Sequence, residues 1–244
     1  MTWSIVAKDS ATGLFGIAIA SRFFAVGFLC PWASRMGAVS TQAMINPMFG
    51  PRGLALLNEG LRAPDICDMI VAADRDAGGR QVHLVDAAGR TAAFTGPECI
   101  DWCGHENRPG VSVAGNMLAG PAVVGDTLSC YLKNLDMPFV ERLLVAMEAG
   151  EAAGGDKRGK QSAALLIQGD EPYPRLSLRV DDHSDPLVDL RRLYEVAKER
   201  FIGFSAAFPR PEQPYGITDR DYLESIIDSV RLILLSKYFE ISMG

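Results

Sequence analysis

The sequence shows no long apolar run, no basic cluster, no secretion-like start and no cysteine framework. Its longest apolar stretches, such as Val230 to Leu235, fall far short of the ~18 residues that span a bilayer, which predicts no membrane partner. Acidic side chains outnumber basic ones, 30 to 24, for a net charge of −6. Nucleic acid is therefore not the expected partner, since phosphate backbones are bound by clustered Lys and Arg. The opening Met-Thr-Trp-Ser lacks a basic n-region and an apolar h-region, which predicts a cytoplasmic protein. Five cysteines, Cys30, Cys67, Cys99, Cys103 and Cys130, are an odd number without regular spacing, and read as mostly buried reduced thiols.

What is present is a globular composition, 48% apolar and 22% charged over 244 residues, enough for one large domain or two small ones. Residues 2–8 and 14–21 read as strands joined by the turn-forming Asp9-Ser-Ala-Thr-Gly13, hence a hairpin. The small face of Gly16-Ile-Ala-Ile-Ala20 suits close approach by another layer. Residues 37–43 predict a third strand. Leu54, Leu57 and Leu61, then Ile66, Met69, Ile70 and Ala73, have helical spacing. Strands follow at 81–86, 90–95 and 111–116, then helices from Pro121 to Asn134 and from Pro138 to Gly150. Strands at 161–168 and 175–182 and a helix from Pro186 to Phe201 complete the pattern. Such grouping is too irregular for a doubly wound sheet. It fits an α+β fold of two mainly antiparallel sheets stacked face to face with helices outside.

That domain is expected over residues 1–202. Residues 203–215 read as a linker, and the remainder to 244 as an amphipathic helix with Leu223, Ile226, Ile227, Val230 and Leu234 on one stripe. We expect this stripe to be buried in a homo-oligomer contact in preference to the chain's own domain.

Candidate chemistry begins at Thr2. A small second residue predicts removal of Met1, leaving a threonine whose α-amine lies beside its hydroxyl. An α-amine titrates at about 7.7–8.0, so one residue supplies nucleophile and general base. Ser4 shares its strand face and is placed to relay a proton or orient the amine. The alternative is an ordinary second residue and a hydroxyl bonded within the sheet. Gly154 to Gln161 resembles a phosphate loop in Gly154, Gly159 and Lys160, but Gln161 replaces the magnesium-binding hydroxyl and a helix precedes the loop where a strand is required. It reads as a solvated turn, or as a loop from which Asp156, Lys157 and Gln161 reach a site. Asn116 ends a strand before Gly120-Pro121; its amide is either an oxyanion donor or part of a turn. His83 lies within a strand, half-buried or on the surface. Cys99, Cys103 and His105 lack a fourth zinc ligand. Asp181-Asp-His-Ser-Asp185 reads as a charged turn, with a cation-dependent hydrolase using Asp181, Asp182 and His183 as a minor reading. No metal or cofactor is expected.

Several stretches together carry a resemblance: Thr2 to Asp9, Ser21 to Gly27, Pro31-Trp32, Ala38 to Gln42, Phe49 to Gly53, Ala93 to Gly96, Gly115 to Pro121, Gly154 to Ala164 and Arg179 to His183. They resemble a bacterial and archaeal family, domain of unknown function 1028, which itself looks like the N-terminal-nucleophile (Ntn) hydrolases. The resemblance implies an αββα four-layer sandwich. It implies a hydrolase of C–N amide bonds acting on a small-molecule or peptide-like substrate without a cofactor. Thr2 would be nucleophile and base, Asn116 or a backbone amide near Thr41 the oxyanion donor, and Arg22 the partner of a substrate carboxylate. Gln42, beside Thr41, joins the substrate-binding candidates. The competing expectation is a catalytically silent binding or assembly protein on the same fold.

Overall fold

A computed structural model describes residues 2–241, with side chains to residue 233. Met1, residues 242–244 and the side chains of 234–241, Leu234 of the predicted stripe among them, lie outside the description. The chain divides into two compact units, residues 1–190 and 191–244. The division falls within a helix and not after residue 202.

In the first unit, β1 (Thr2–Lys8), β2 (Phe15–Ser21), β7 (Trp102–Arg108), β8 (Val111–Leu118), β9 (Ser162–Gln168) and β10 (Leu176–Val180) form one sheet. Its order is β10-β9-β2-β1-β8-β7. A second sheet, in the order β3-β4-β5-β6, comprises β3 (Pro31–Ser34), β4 (Gly37–Ala43), β5 (Arg80–Asp86) and β6 (Thr91–Thr95). Every neighbouring pair is antiparallel, and β1 and β2 form the expected hairpin. The sheets face each other. Helices α1 (Phe49–Asn58) and α2 (Ala63–Ala72) cover the four-stranded sheet, and α3 (Ala122–Lys133) and α4 (Phe139–Ala152) the six-stranded one. The result is the four-layer αββα sandwich of an α+β fold.

Local sequence explains these layers. The Gly-Ala face of β2 does admit a neighbour closely: a Cβ on Gly16 would sit 2.6 Å from Leu143 Cδ1. Helix α4 therefore lies tight on the sheet, with Leu143, Leu144 and Met147 fully buried. On the other side Val39, Phe49, Leu57, Ile66, Val82 and Leu84 close a second apolar layer. Each large apolar side chain buried in these layers contributes about 1.5–3 kcal/mol to holding the helices on the sheets. Deep against them, Arg142 pairs with Asp9 at 2.5 Å. Burial raises the Asp9 carboxyl, but hydrogen bonds from Thr12 and Arg142 outweigh it and hold it below the usual range.

Two strands escaped the sequence reading. The four residues of β3 begin with a proline. β7 carries Gly, His, Glu and Asn on an edge that is mostly half-exposed, so no apolar alternation marks it.

The chain continues from α5 (Pro186–Val196) through a π-helical turn (Ala197–Phe201) and α6 (Ile202–Ser205) to α7 (Arg220–Ile241). Within the second unit α7 docks on its own chain. Ile227 is buried, and a Cβ on Gly203 of α6 would meet the Ile227 Cα at 2.8 Å. Part of the apolar stripe is thus covered by the chain itself, while Leu223, Ile226 and Val230 are half-buried.

Candidate functional site

Thr2 opens the central part of the six-stranded sheet, paired with Ser21 of β2 on one side and Asn116 of β8 on the other. Its Oγ1 lies 3.1 Å from Ser21 Oγ. Because side chains alternate along a strand, Thr2 and Ser4 both face the opposite sheet. There they meet amides and hydroxyls instead of hydrocarbon. Gln42 Nε2 and Asn116 Nδ2 each donate to the Thr2 carbonyl at 3.4 Å and to Gln81 Oε1 at 2.8 Å. Gln81 Nε2 in turn donates to the Gly115 carbonyl at 2.8 Å and to Thr95 Oγ1 at 2.8 Å. Three primary amides from three strands thereby lock the start of β1 in place.

One turn of the pleat further in, Ser4 Oγ lies 2.7 Å from His83 Nε2, 2.8 Å from Gln42 Oε1 and 3.1 Å from Ser40 Oγ. His83 Nδ1 is 3.0 Å from Ser112 Oγ, which donates to Asn107 Oδ1 at 2.7 Å. The ring thus bridges two hydroxyls, Ser4 and Ser112, each of which gives its one proton to an amide oxygen, Gln42 Oε1 and Asn107 Oδ1. His83 is fully buried, where the sequence suggested a half-buried or surface position. Burial pushes its pKa down to about 3. The imidazole is neutral at pH 7 and belongs to a hydrogen-bonded interior.

The other predicted residues divide by where their side chains go. Arg22 N–H donates to Asp156 Oδ2 at 2.8 Å, and Gln161 N–H to the Ser21 carbonyl at 3.1 Å. Loop 154–161 is therefore stitched to the strand beside Thr2, with Asp156 bridged to Leu118. The Gln161 side chain turns outward to Asp182 (3.0 Å) and Lys157 to Asp101 (2.7 Å). Thr41 does not join the group. Its hydroxyl donates to the Asn46 carbonyl at 3.2 Å and its amide to the Cys30 carbonyl at 3.1 Å, so that amide is already taken. Among the predicted residues, Ser4, Gln42 and Asn116 link through their side chains to one another's partners or to the Thr2 carbonyl, whereas Arg22 and Gln161 join through their amides and Asp156 through its carboxylate. Ser21, Ser40, Gln81, His83 and Ser112 were not predicted.

Backbone strain marks the same end of the fold. Among the described residues, the non-glycine ones with positive φ are Ala25 (53°), Ala43 (67°), Asp101 (56°) and Met117 (52°). Ala43 follows Gln42, Met117 follows Asn116, and Ala25 lies four residues beyond Ser21. Asp101 pairs with Lys157, whose amide donates to the Met117 carbonyl at 3.3 Å. Left-handed non-glycine residues persist where surroundings over-determine them, and they cluster at functional sites.

Other candidates disperse. Asp181 pairs with Arg179 at 2.8 Å, and His183 Nδ1 accepts the Asp185 N–H. Among the described residues no group of three His, Cys, Asp or Glu side chains is arranged to hold a metal ion. Burial raises the thiol pKa of all five cysteines, to about 12 for Cys30 and Cys67, the opposite of a thiolate nucleophile. Loop 154–161 follows α4 and precedes β9, the inverse of a phosphate loop. A cavity of about 470 Å³ lies between α3 and α4, lined by Asp126, Cys130, Lys133 and Ala153 among others, on the helical layer and away from Thr2. No helix among the described residues is long and apolar enough to cross a membrane.

Comparison with known proteins agrees with this architecture. The model of a family of unknown function, DUF1028, matches residues 2–190, the extent of the first compact unit apart from Met1. The crystal structure of protein SPO2555 from Silicibacter pomeroyi, described as DUF1028, is similar with a TM-score of 0.83 and 30% identity, over 89% of this chain and 99% of that one. No curated protein matches. The chain belongs to the DUF1028 family.

Proposed function

Starting from that family and this site, we propose that the chain is an N-terminal-nucleophile amide hydrolase that cleaves a C–N bond of a small or peptide-like substrate. The observation that carries the reading is the setting of Thr2. It heads a central strand between two stacked sheets, its carbonyl held by the Gln42 and Asn116 amides, which both donate to Gln81, and the residues after Gln42 and Asn116 have positive φ.

The reaction needs no cofactor. After loss of Met1, the α-amine of Thr2 takes the hydroxyl proton as Oγ1 attacks the substrate carbonyl carbon. The C–N bond breaks, the departing amine leaves with that proton, and an ester to Thr2 remains. Water, deprotonated by the same amine, hydrolyses the ester and releases the acid. Gln42 and Asn116 already donate to the Thr2 carbonyl, so their role is to fix the nucleophile's backbone. Ser4 is linked to Thr2 through Gln42 and orients that amide.

The test is labelling with a β-lactone or an electrophilic amide, followed by peptide mass analysis. Wild type should acquire one acyl group on Thr2 and Thr2→Ala none. Equal labelling of both overturns the assignment. One observation favours a second reading, a binding or assembly protein without catalysis: Thr2 is only 4% exposed, and the cavity described above lies elsewhere. That reading expects no turnover of any amide and full ligand binding by Thr2→Ala.

A further inference from the structure

The two loops that leave the Thr2 end carry an unusual load of exposed apolar side chains. Loop 22–30 follows Ser21, the cross-strand partner of Thr2. In it Phe23, Phe24 and Phe28 are 60%, 63% and 63% exposed. Loop 44–48 follows the strand that carries Gln42, and there Met44 and Met48 are 68% and 52% exposed. The loops are not slack. Ser162 Oγ donates to the Phe23 carbonyl at 2.5 Å and accepts the Val26 N–H at 3.1 Å. Ile45 packs against the cluster of Ile19, Val26, Cys30 and Ala164, which brings the two loops onto one apolar support. Each also carries or adjoins a strained residue, Ala25 or Ala43. The Arg179 guanidinium lies over the Phe28 ring, 5.5 Å from its centroid, but Phe23, Phe24, Met44 and Met48 are held largely in water; grouped exposed apolar side chains of this kind mark binding surfaces.

Charge narrows the ligand. Around this end Arg80, Lys157, Arg158, Lys160 and Arg179 each face a carboxylate of the chain. Arg22, adjoining Phe23, does not: its guanidinium donates to the Lys160 carbonyl at 3.1 Å. A guanidinium is permanently charged and shaped for a carboxylate. We infer that the site takes amphiphilic anionic amides, in which an apolar chain or ring is joined through the amide to a carboxylate-bearing group. The apolar part lies on the Phe and Met side chains and the carboxylate meets Arg22. The inference rests on the Thr2 reading for the reaction, but binding tests it separately. An anionic lipid surface is disfavoured by the chain's own charge of −6.

The experiment is calorimetric titration of Thr2→Ala, which cannot turn over, with dodecanoyl-glycine below its micelle concentration, with acetyl-glycine, and with uncharged dodecanamide. Dodecanoyl-glycine should bind roughly a hundredfold tighter than acetyl-glycine, since each buried methylene multiplies affinity by about fourfold and only part of the chain is covered. Adding Phe23→Ser, Phe24→Ser and Phe28→Ser should remove at least about tenfold of that, at unchanged Tm. Arg22→Gln should erase the preference for dodecanoyl-glycine over dodecanamide. Equal binding of the long and short acyl-glycines overturns the inference. So does a wild-type dimer in sedimentation that the serine variants dissociate, because the patch is then an interface between copies. Tight binding without hydrolysis by wild type supports this ligand class and removes the Thr2 reaction; hydrolysis confined to acetyl-glycine does the reverse.

Discussion

The layer between the two sheets is apolar at one end and polar at the other. Away from Thr2, Val6, Phe15, Ile17, Ala38 and Val85 interlock as hydrocarbon. Toward Thr2, strands β1, β4, β5 and β8 present Ser4, Ser40, Gln42, Gln81, His83 and Asn116, all buried. The first region needs only shape and volume. The second needs each donor matched to an acceptor, because a buried polar group left without a partner costs about 1–3 kcal/mol. Stacking alone would be served by hydrocarbon throughout. The polar half fixes the position of one strand start to the geometry of its hydrogen bonds, the kind of support a reacting group requires.

Substitutions sharpen the contrast. The largest effect is expected from Gln81→Leu, which nearly conserves volume. It leaves Gln42, Asn116, Thr95 and two backbone carbonyls short of a partner and should lower stability by about 3–5 kcal/mol in urea unfolding. A cost below about 1 kcal/mol would mean that the polar half tolerates hydrocarbon as the apolar half does.

Next comes pH. Burial keeps His83 unprotonated in the folded state down to about 3, whereas in the unfolded chain it takes a proton near 6.5. The unfolded state binds more protons across that window, so stability falls as pH falls from about 6.5 towards 3, by at most about 1.4 kcal/mol per pH unit. Burial lowers His105 in the same sense. The depressed carboxyls of Asp9 and Asp86 act only lower, in the carboxylate range. Between pH 7 and 4.5 the urea midpoint should therefore decline, and His83→Gln should remove most of the decline. A parallel decline in the variant would show that His83 is not the group responsible. The smallest effect is expected in the apolar half, where Ile17→Val should cost only about 1 kcal/mol at any of these pH values.

The contrast also shows how far the sequence could be read. Branched and apolar runs announced β1, β2, β4 and β5, and helical spacing announced α1 to α4, because burial on one face leaves a period. The same period concealed the polar half. Ser40 and Gln42 alternate with Val39 and Thr41, and Gln81 and His83 with Val82 and Leu84, a pattern that reads as one face towards the core and one towards water. Alternation identifies two faces without saying that the polar one meets another sheet. Thr2, Ser4 and Asn116 were legible from position and resemblance. Gln81 and Ser112 were not, since their role exists only across the layer. Thr41 went astray for the converse reason: it neighbours Gln42 in sequence but points to the opposite side of its strand.

The claim on which the rest depends is that Thr2 presents a free α-amine. The direct measurement is the intact mass and N-terminal peptide of the purified full chain. The expected result is a protein that begins at Thr2. A chain that retains Met1 throughout would contradict it.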